Sequence, residues 1–379
     1  MDLIFSTQEF KIQGVSYPDF PVLVRKDGDI FVEALEFLIY YCIKRGRVQS
    51  YRSWETFGRD IYDYFAFLEA NNLDWKKIQS RQDETLLAIY RDASMSYFNI
   101  GATTINRRLR LAIQFYQYAY NHGWVKTLPY ELEAVTVRKP KQFLAHTDTS
   151  GGLKARPDVM LKQPRTKIKV LNAEQVKSLL SAINNKTLLL MVRLALATGL
   201  RKEEILTFPT KYVVNPHTVQ CRSHIVVNLT PGEIKTKGSE PRSIHVPVSV
   251  MSALWDYVLH ERHQLLIAKE NPTDKLFVNR YGKSWSLKSK AFNNELAKLS
   301  LPYSVNPHML RHTYATHTLK SLRTRNDLAF DPLIYVRDRL GHSSISTTER
   351  YLHFLHEIED DLITEYQLEV DAICDEVAA

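Results

Sequence analysis

No apolar run in this 379-residue chain approaches the ~20 residues needed to cross a bilayer, so no membrane partner is expected. The N-terminal stretch MDLIFSTQEFKIQG lacks a basic segment followed by an apolar one, and no secretory signal is expected. Cysteine is scarce. Cys42, Cys221 and Cys374 are odd in number and far apart, which argues against a disulfide framework or a zinc site and fits a reducing cytosol. A cytoplasmic location is the expectation. Internal repeats and low-complexity tracts are absent too.

What is present is ordinary globular composition, 44% hydrophobic and 24% charged, enough to bury a core in each of two or three domains. The formal net charge is +8. The C-terminal stretch HEIEDDLITEYQLEVDAICDE is acidic, so the rest is more basic than the total suggests. A basic surface favours a polyanion such as nucleic acid, although charge alone is weak support.

Residues 1–30 mix short apolar stretches with Gly14, Pro18, Pro21 and Gly28 and are expected to form a strand-like or irregular N-terminal arm. From Phe31 the pattern turns helical. VEALEFLIYYCIKR has one broad apolar face. SWETFGRDIYDYFAFLEANN follows, with Trp54, Phe57, Ile61, Tyr64, Phe65 and Leu68 at helical spacing and Ser53 in N-cap position. A weaker helix is expected over residues 82–97. Then GATTINRRLRLAIQFYQYAYNHGW puts Ile105, Leu109, Ala112, Ile113, Tyr116 and Ala119 on one stripe and stops at Gly123. These aromatic stripes read as core. Beside the last one lie Arg107, Arg108 and Arg110 with Thr103, Thr104 and Asn106. They make either a solvated face or a basic helix start suited to phosphate contacts.

Residues 137–168 are rich in Pro, Gly, Lys and Arg without period and read as a basic linker. After it, Asn172 and Gln175 stand in capping-box register. TLLLMVRLALATGL reads as a buried helix ending at Gly199, with a new helix starting at Arg201 to Glu204. HIVVNL, EIKTK and RSIHVPVS switch to period two and predict short antiparallel strands. Helices resume from about residue 249.

The chemistry-bearing residues of this second half stand where elements end: Arg201, Lys237, His308, Arg311, His342 and Tyr351. Singly each has a plain explanation, such as a surface charge, a hairpin lysine, a helix cap or an interface aromatic. Together they form a set of parts. Two arginines can grip a phosphodiester and stabilise developing charge. Histidines can bond the phosphate or take a tyrosine proton. A lysine can protonate a leaving oxygen, and a tyrosine becomes a nucleophile when cations stabilise its phenolate. Glu204, on the same helical face as Arg201, can orient a side chain of such a site or simply form an ion pair.

TGLRKEEI, TKGSEPRSIHVP, HMLRHTYATH and LGHSSISTTERY, in that order, resemble the signature boxes of the tyrosine recombinases, the phage-integrase family of DNA strand-exchange enzymes. The His308–Arg311 and His342–Tyr351 spacings match the family's pattern, and the helical stretch over residues 35–125 is similar to its core-binding domain. The resemblance implies a mainly α chain with an all-α core-binding domain at 31–136 and an α+β catalytic domain with a small antiparallel sheet at 169–355. An acidic C-terminal helix at 356–379 would make a subunit contact or an intramolecular lid. It further implies that Tyr351 attacks the scissile phosphate to form a 3′-phosphotyrosyl link. Arg201 and Arg311 would clamp that phosphate, Lys237 would protonate the departing 5′ oxygen, and His308 and His342 would assist. Glu204 matches the supporting acidic position. Arg107, Arg108, Arg110 and Thr104 would contact DNA. No metal, ATP or other cofactor is expected. The expected partners are double-stranded DNA carrying specific recombination sites, three further copies of the chain, and accessory directionality or DNA-bending proteins. A DNA-relaxing enzyme like a type IB topoisomerase and a non-catalytic DNA-binding protein of the same fold are the alternatives. SLRTRNDLAFDP, residues 321–332, looks inserted relative to the family.

Overall fold

The computed structural model describes residues 1–46, 51–77, 84–136, 153–163, 168–219, 223–236, 240–267, 273–287, 289–325 and 329–342, and all of 344–355 except 346 and 353. Contacts divide the chain into two units, Met1–Arg165 and Thr166–Ala379.

In the first unit β1 (Asp2–Phe5) and β4 (Pro21–Val24) pair antiparallel, and β2 (Lys11–Ile12) and β3 (Val15–Ser16) pair between them. Phe20 and Leu23 are wholly buried, so the expected arm is a hairpin that contributes to the unit's core. α1 (Val32–Leu38) runs into a π-helical turn at Ile39–Lys44. Three helices follow: α2 (Tyr51–Ala70), α3 (Leu86–Ser96) and α4 (Ala102–Asn121). The stripe residues Ile61, Tyr64, Phe65 and Leu68 of α2 and Ile105, Leu109, Ala112, Ile113, Tyr116 and Ala119 of α4 are all buried in one cluster. Because α2 already includes Tyr51, Ser53 lies inside the helix and is not its cap. Gly123 adopts φ +71° just past α4, where the sequence places the stop.

Part of the expected linker is structured. β5 (Leu132–Thr136) pairs antiparallel with β6 (Leu153–Pro157). Asn106 of α4 ties down the following segment, donating to the Leu161 carbonyl at 2.8 Å and accepting the Leu161 N–H at 2.9 Å. Residues 137–152 and 164–167 lie outside the described residues.

The second unit opens with α5 (Ala173–Ser181). The reciprocal cap is present: Asn172 Oδ1 accepts from the Gln175 N–H at 2.8 Å and Gln175 Oε1 from the Asn172 N–H at 3.0 Å. α6 (Lys186–Thr198) is buried over most of its surface and ends on Gly199 in the left-handed region, φ +66°. α7 (Lys202–Leu206) follows after Leu200 and Arg201. β7 (His224–Leu229) pairs antiparallel with β8 (Arg242–Pro247), and Ile225, Val227 and Leu229 alternate into the core. EIKTK is not a strand where it is described. Ile234 makes one isolated bridge to Pro231, and the Lys235 N–H bonds the Thr207 hydroxyl. RSIHVPVS gives its last residues to α8 (Val248–Tyr257). Four helices follow, α9 (His263–Ile267), α10 (Ala291–Ala297), α11 (Pro307–Arg323) and α12 (Pro332–Leu340), and further helical residues come after α12.

The chain is thus mainly α with small antiparallel sheets. Of the expected insertion, the first residues finish α11, and Asp331 caps α12 by accepting from the Leu333 and Ile334 N–H groups; residues 326–328 lie outside the described ones, as does the acidic segment 356–379. Among the described residues no helix is long and apolar enough to cross a membrane.

Candidate active site

The site is built at the junctions of short elements in the second unit. Gly199 ends α6, and two residues later Arg201 starts α7. The Arg201 backbone N–H donates to Glu204 Oε2 at 2.7 Å, its Nη1 donates to Glu204 Oε1 at 3.1 Å, and its Nη2 reaches the Gly341 carbonyl at 3.0 Å. Glu204 is fully buried. Its second guanidinium partner comes from β8: Arg242 donates to both carboxylate oxygens, at 2.8 and 2.6 Å, and its Nε donates to the Arg339 carbonyl at 3.0 Å. Burial pushes the Glu204 carboxyl up, but the hydrogen bonds and charge of Arg242, with Arg201, outweigh it and hold the group below the usual carboxylate value. The carboxylate therefore fixes two arginines at once.

Arg311 sits in the first turns of α11, behind an Asn306 cap and Pro307 at the first helical position. It is 2% exposed. Nη1 donates to the Gly199 carbonyl and Nη2 to the Leu340 carbonyl, both at 2.7 Å. These are the orphan carbonyls at the C-terminal ends of α6 and α12, where helix dipoles present partial negative charge. None of the ion pairs among the described residues involves Arg311. Burial, with the Arg201 charge beside it, draws its pKa down to about 9, and it remains protonated at neutral pH. Three guanidinium groups, Arg201, Arg242 and Arg311, thus act around one carboxylate. Such a surplus of positive charge suits an anion with several oxygens.

α12 ends on Gly341 at φ +63°, in the left-handed region. A Cβ there would meet Arg242 Cδ at 2.9 Å. His342 follows, with Nδ1 2.8 Å from the hydroxyl of the buried Thr348. This bond closes the serine- and threonine-rich turn, and helical residues 347–352 carry Tyr351. Tyr351 is 2% exposed and packs in a small cluster with Ala315, Leu319, Val336 and Leu340. The His342 ring lies parallel to it at 6.3 Å between centroids. Burial raises the Tyr351 pKa, and the charges of Arg311, Arg350 and Arg201 oppose that rise. Burial, then Arg311 and Arg201, drives His342 down to about 3, so its imidazole is neutral at pH 7.

The structure therefore brings Arg201, Glu204, Arg311, His342 and Tyr351 together from α7, α11 and the segment after α12. His308 is exposed, with its ring 4.2 Å from that of His312. Lys237, Ser343 and Ser346 lie outside the described residues. The sequence reading did not single out Arg242 or His312. Arg242 stands inside the TKGSEPRSIHVP box, and His312 directly follows Arg311; an arginine one strand away from a buried glutamate and a histidine one turn from His308 were the available signals. His312 Nδ1 lies 3.0 Å from the Tyr351 hydroxyl.

In the first unit, Arg107, Arg108, Arg110 and Thr104 all lie on α4. Arg107 makes a two-pronged pair with the buried Asp60, at 2.7 Å on both oxygens. Arg108 is largely covered and donates to Asp63 at 2.7 Å. Thr103, Arg107 and Arg110 share the exposed face of the helix, whereas Thr104 is half-buried.

A model of the phage integrase family matches residues 169–357, the stretch that carries every box described above. Through this unit the chain belongs to the phage integrase family. Among relatives of this chain are the tyrosine recombinases XerD of Staphylococcus aureus, 31% identical over 209 residues, and of Staphylococcus saprophyticus, 29% identical over 209 residues. Each match spans 52% of this chain and 63% of the relative's length. Two solved structures share the fold. One is the XerH site-specific recombinase bound to palindromic difH substrate, with TM-score 0.54 and 17% identity over 91% of this chain and 90% of that one. The other is the Tn1549 transposon integrase in complex with a circular intermediate DNA, with TM-score 0.55 and 18% identity over 83% and 93%.

Proposed function

We propose that this integrase-family protein is a site-specific DNA recombinase that cuts and rejoins DNA through a covalent 3′-phosphotyrosyl intermediate on Tyr351. The observation that carries the reading is the gathering, about one buried tyrosine, of guanidinium groups whose charges favour its phenolate. The recombinase relatives and the DNA-bound recombinase structures support the substrate class.

In this mechanism the non-bridging oxygens of the scissile phosphodiester take the remaining hydrogen bonds of Arg201 and Arg311. Their side chains are already held by carbonyl groups and Glu204, so little reorganisation accompanies charge development. The Tyr351 oxygen attacks phosphorus, the bond to the 5′ oxygen breaks, and Lys237 protonates that oxygen. His308 and His342 assist at the phosphate. The phosphotyrosyl bond conserves the energy of the broken phosphodiester, so rejoining needs no nucleotide. Arg107, Arg110 and Thr103 offer an exposed basic face for the duplex backbone, with Arg107 held by Asp60. Four copies on two sites would exchange the strands in pairs.

The test is a denaturing gel of the full chain with nicked duplex chosen from a randomised pool by binding. The wild type is expected to form a covalent protein–DNA adduct and Tyr351→Phe none. An adduct of equal yield in Tyr351→Phe would remove the nucleophile assignment.

A further inference from the structure

Of the histidines grouped near Tyr351, His312 brings a ring nitrogen to the phenol oxygen. His342 has its Nδ1 engaged by Thr348 and lies parallel to the tyrosine ring. His308 is exposed and contacts the His312 ring edgewise. His312 places Nδ1 3.0 Å from the Tyr351 hydroxyl, with ring centroids 5.5 Å apart.

The position of that nitrogen is fixed by its helix. His312 follows Arg311 on α11, and Arg311 is anchored to the ends of both α6 and α12. A rotation of α11 that moved the imidazole would break both guanidinium contacts. We propose that His312 is the group that takes the Tyr351 hydroxyl proton during strand cleavage and returns it during rejoining, an assignment that rests on reading Tyr351 as the nucleophile. The step balances. The phenol oxygen forms a bond to phosphorus and the phosphorus–5′ oxygen bond breaks. In the tautomer with hydrogen on Nε2, the phenol proton passes to His312 Nδ1 and gives an imidazolium. The 5′ oxygen takes its proton from a separate acid. In rejoining, the 5′ hydroxyl attacks phosphorus and gives its proton back to the conjugate base of that separate acid, while the departing phenolate recovers its proton from Nδ1.

The surroundings explain why the pair is inert until DNA arrives. Burial, followed by the charges of His308, Arg350 and Arg311, disfavours the imidazolium and takes His312 down to about 3. Burial also disfavours the phenolate. Both partners stay neutral. The charged and titratable groups facing the pair are Arg311 and His308 from α11, Arg350 beside Tyr351, Arg201 from the start of α7 and His342 after α12. A phosphodiester held by Arg201 and Arg311 adds negative charge among these cations. It offsets the repulsion that keeps His312 unprotonated and so makes it a stronger base only with substrate in place.

The test uses the full chain, the selected nicked duplex and single-turnover cleavage. In His312→Asn an amide oxygen can still accept the phenol hydrogen but cannot take the proton. Cleavage is expected to slow by about 100-fold or more, with the adduct still on Tyr351 and duplex binding unchanged. The residual rate is expected to rise in proportion to hydroxide, a dependence the wild type lacks. His312→Gln, made in parallel, is expected to behave alike. A substrate with sulfur in place of the bridging 5′ oxygen needs no leaving-group acid, and it is expected to leave the defect intact. Wild-type rate and pH profile in a folded His312 variant would overturn the proposal while leaving the Tyr351 assignment standing. Rescue by the sulfur substrate would overturn it too, by making His312 the leaving-group acid. An adduct in Tyr351→Phe would overturn both.

Discussion

Glu204 accepts four hydrogen bonds, from two side chains and one backbone group, and it is the residue on which the arginine geometry turns. Arg201 and Arg242 share its two oxygens. Removing one partner of a buried pair strands charge. Arg242→Ala is expected to cost on the order of 3 kcal/mol, a fall of roughly 6–12 °C in the melting midpoint of a unit this size, read by circular dichroism. The pH dependence has a definite sign. The folded-state pKa of Glu204 lies below its ordinary 4.5. Its contribution to stability is therefore present above pH 4.5 and is lost as pH falls through the lower folded value. The gap between wild type and Arg242→Ala is expected to narrow in that acid range; a gap independent of pH would show that the carboxylate is not its source. Arg201, Arg311, His342 and Tyr351, which the structure brings together, were singled out in the sequence because they match positions in the boxes of the family it resembles. Arg242 and His312 were not, because their roles depend on partners brought from distant segments, Glu204 in one case and Tyr351 in the other.

At the scale of elements, the site is held by helix ends. Gly199 and Gly341 both adopt positive φ, and their carbonyls hold Arg311 and Arg201 respectively. Any side chain in that backbone region costs about 1–3 kcal/mol. At Gly341 a methyl would also press on Arg242, which Glu204 pins. Gly341→Ala is accordingly expected to destabilise the unit by about 1–3 kcal/mol in chemical denaturation and to slow DNA cleavage by displacing the Arg201 contact. Unchanged stability and cleavage would mean that the turn relaxes freely. Helix ends were also the most readable elements: Asn172 with Gln175, Gly123 and Gly199 all act where local chemistry puts them. EIKTK misled because alternation over so few residues cannot reveal that Lys235 bonds to Thr207 and not to a strand. Ser53 misled because serine is tolerated inside a helix as well as at its cap.

For the whole molecule, the two units have separate clusters of buried hydrophobic residues, one drawn from residues 20–159 and two from residues 168–355. Separate cores of this kind are what independently folding domains have. Residues 1–165 and 166–379, expressed separately, are expected to give cooperative thermal unfolding; a broad, non-cooperative melt of either fragment would contradict this. Composition and periodicity disclosed the core stripes of the first unit, but not that residues 1–30 form part of that core, since Phe20 and Leu23 sit among prolines and glycines without helical period. One feature of the second unit bears on how the protein behaves away from its substrate. With only 2% of its surface in solvent, the Tyr351 ring is shielded from reagents that diffuse up to the chain, while Tyr97, 84% exposed, meets them freely. On the proposed reading of Tyr351 as the nucleophile, the duplex is expected to have to draw its oxygen out before a strand is nicked.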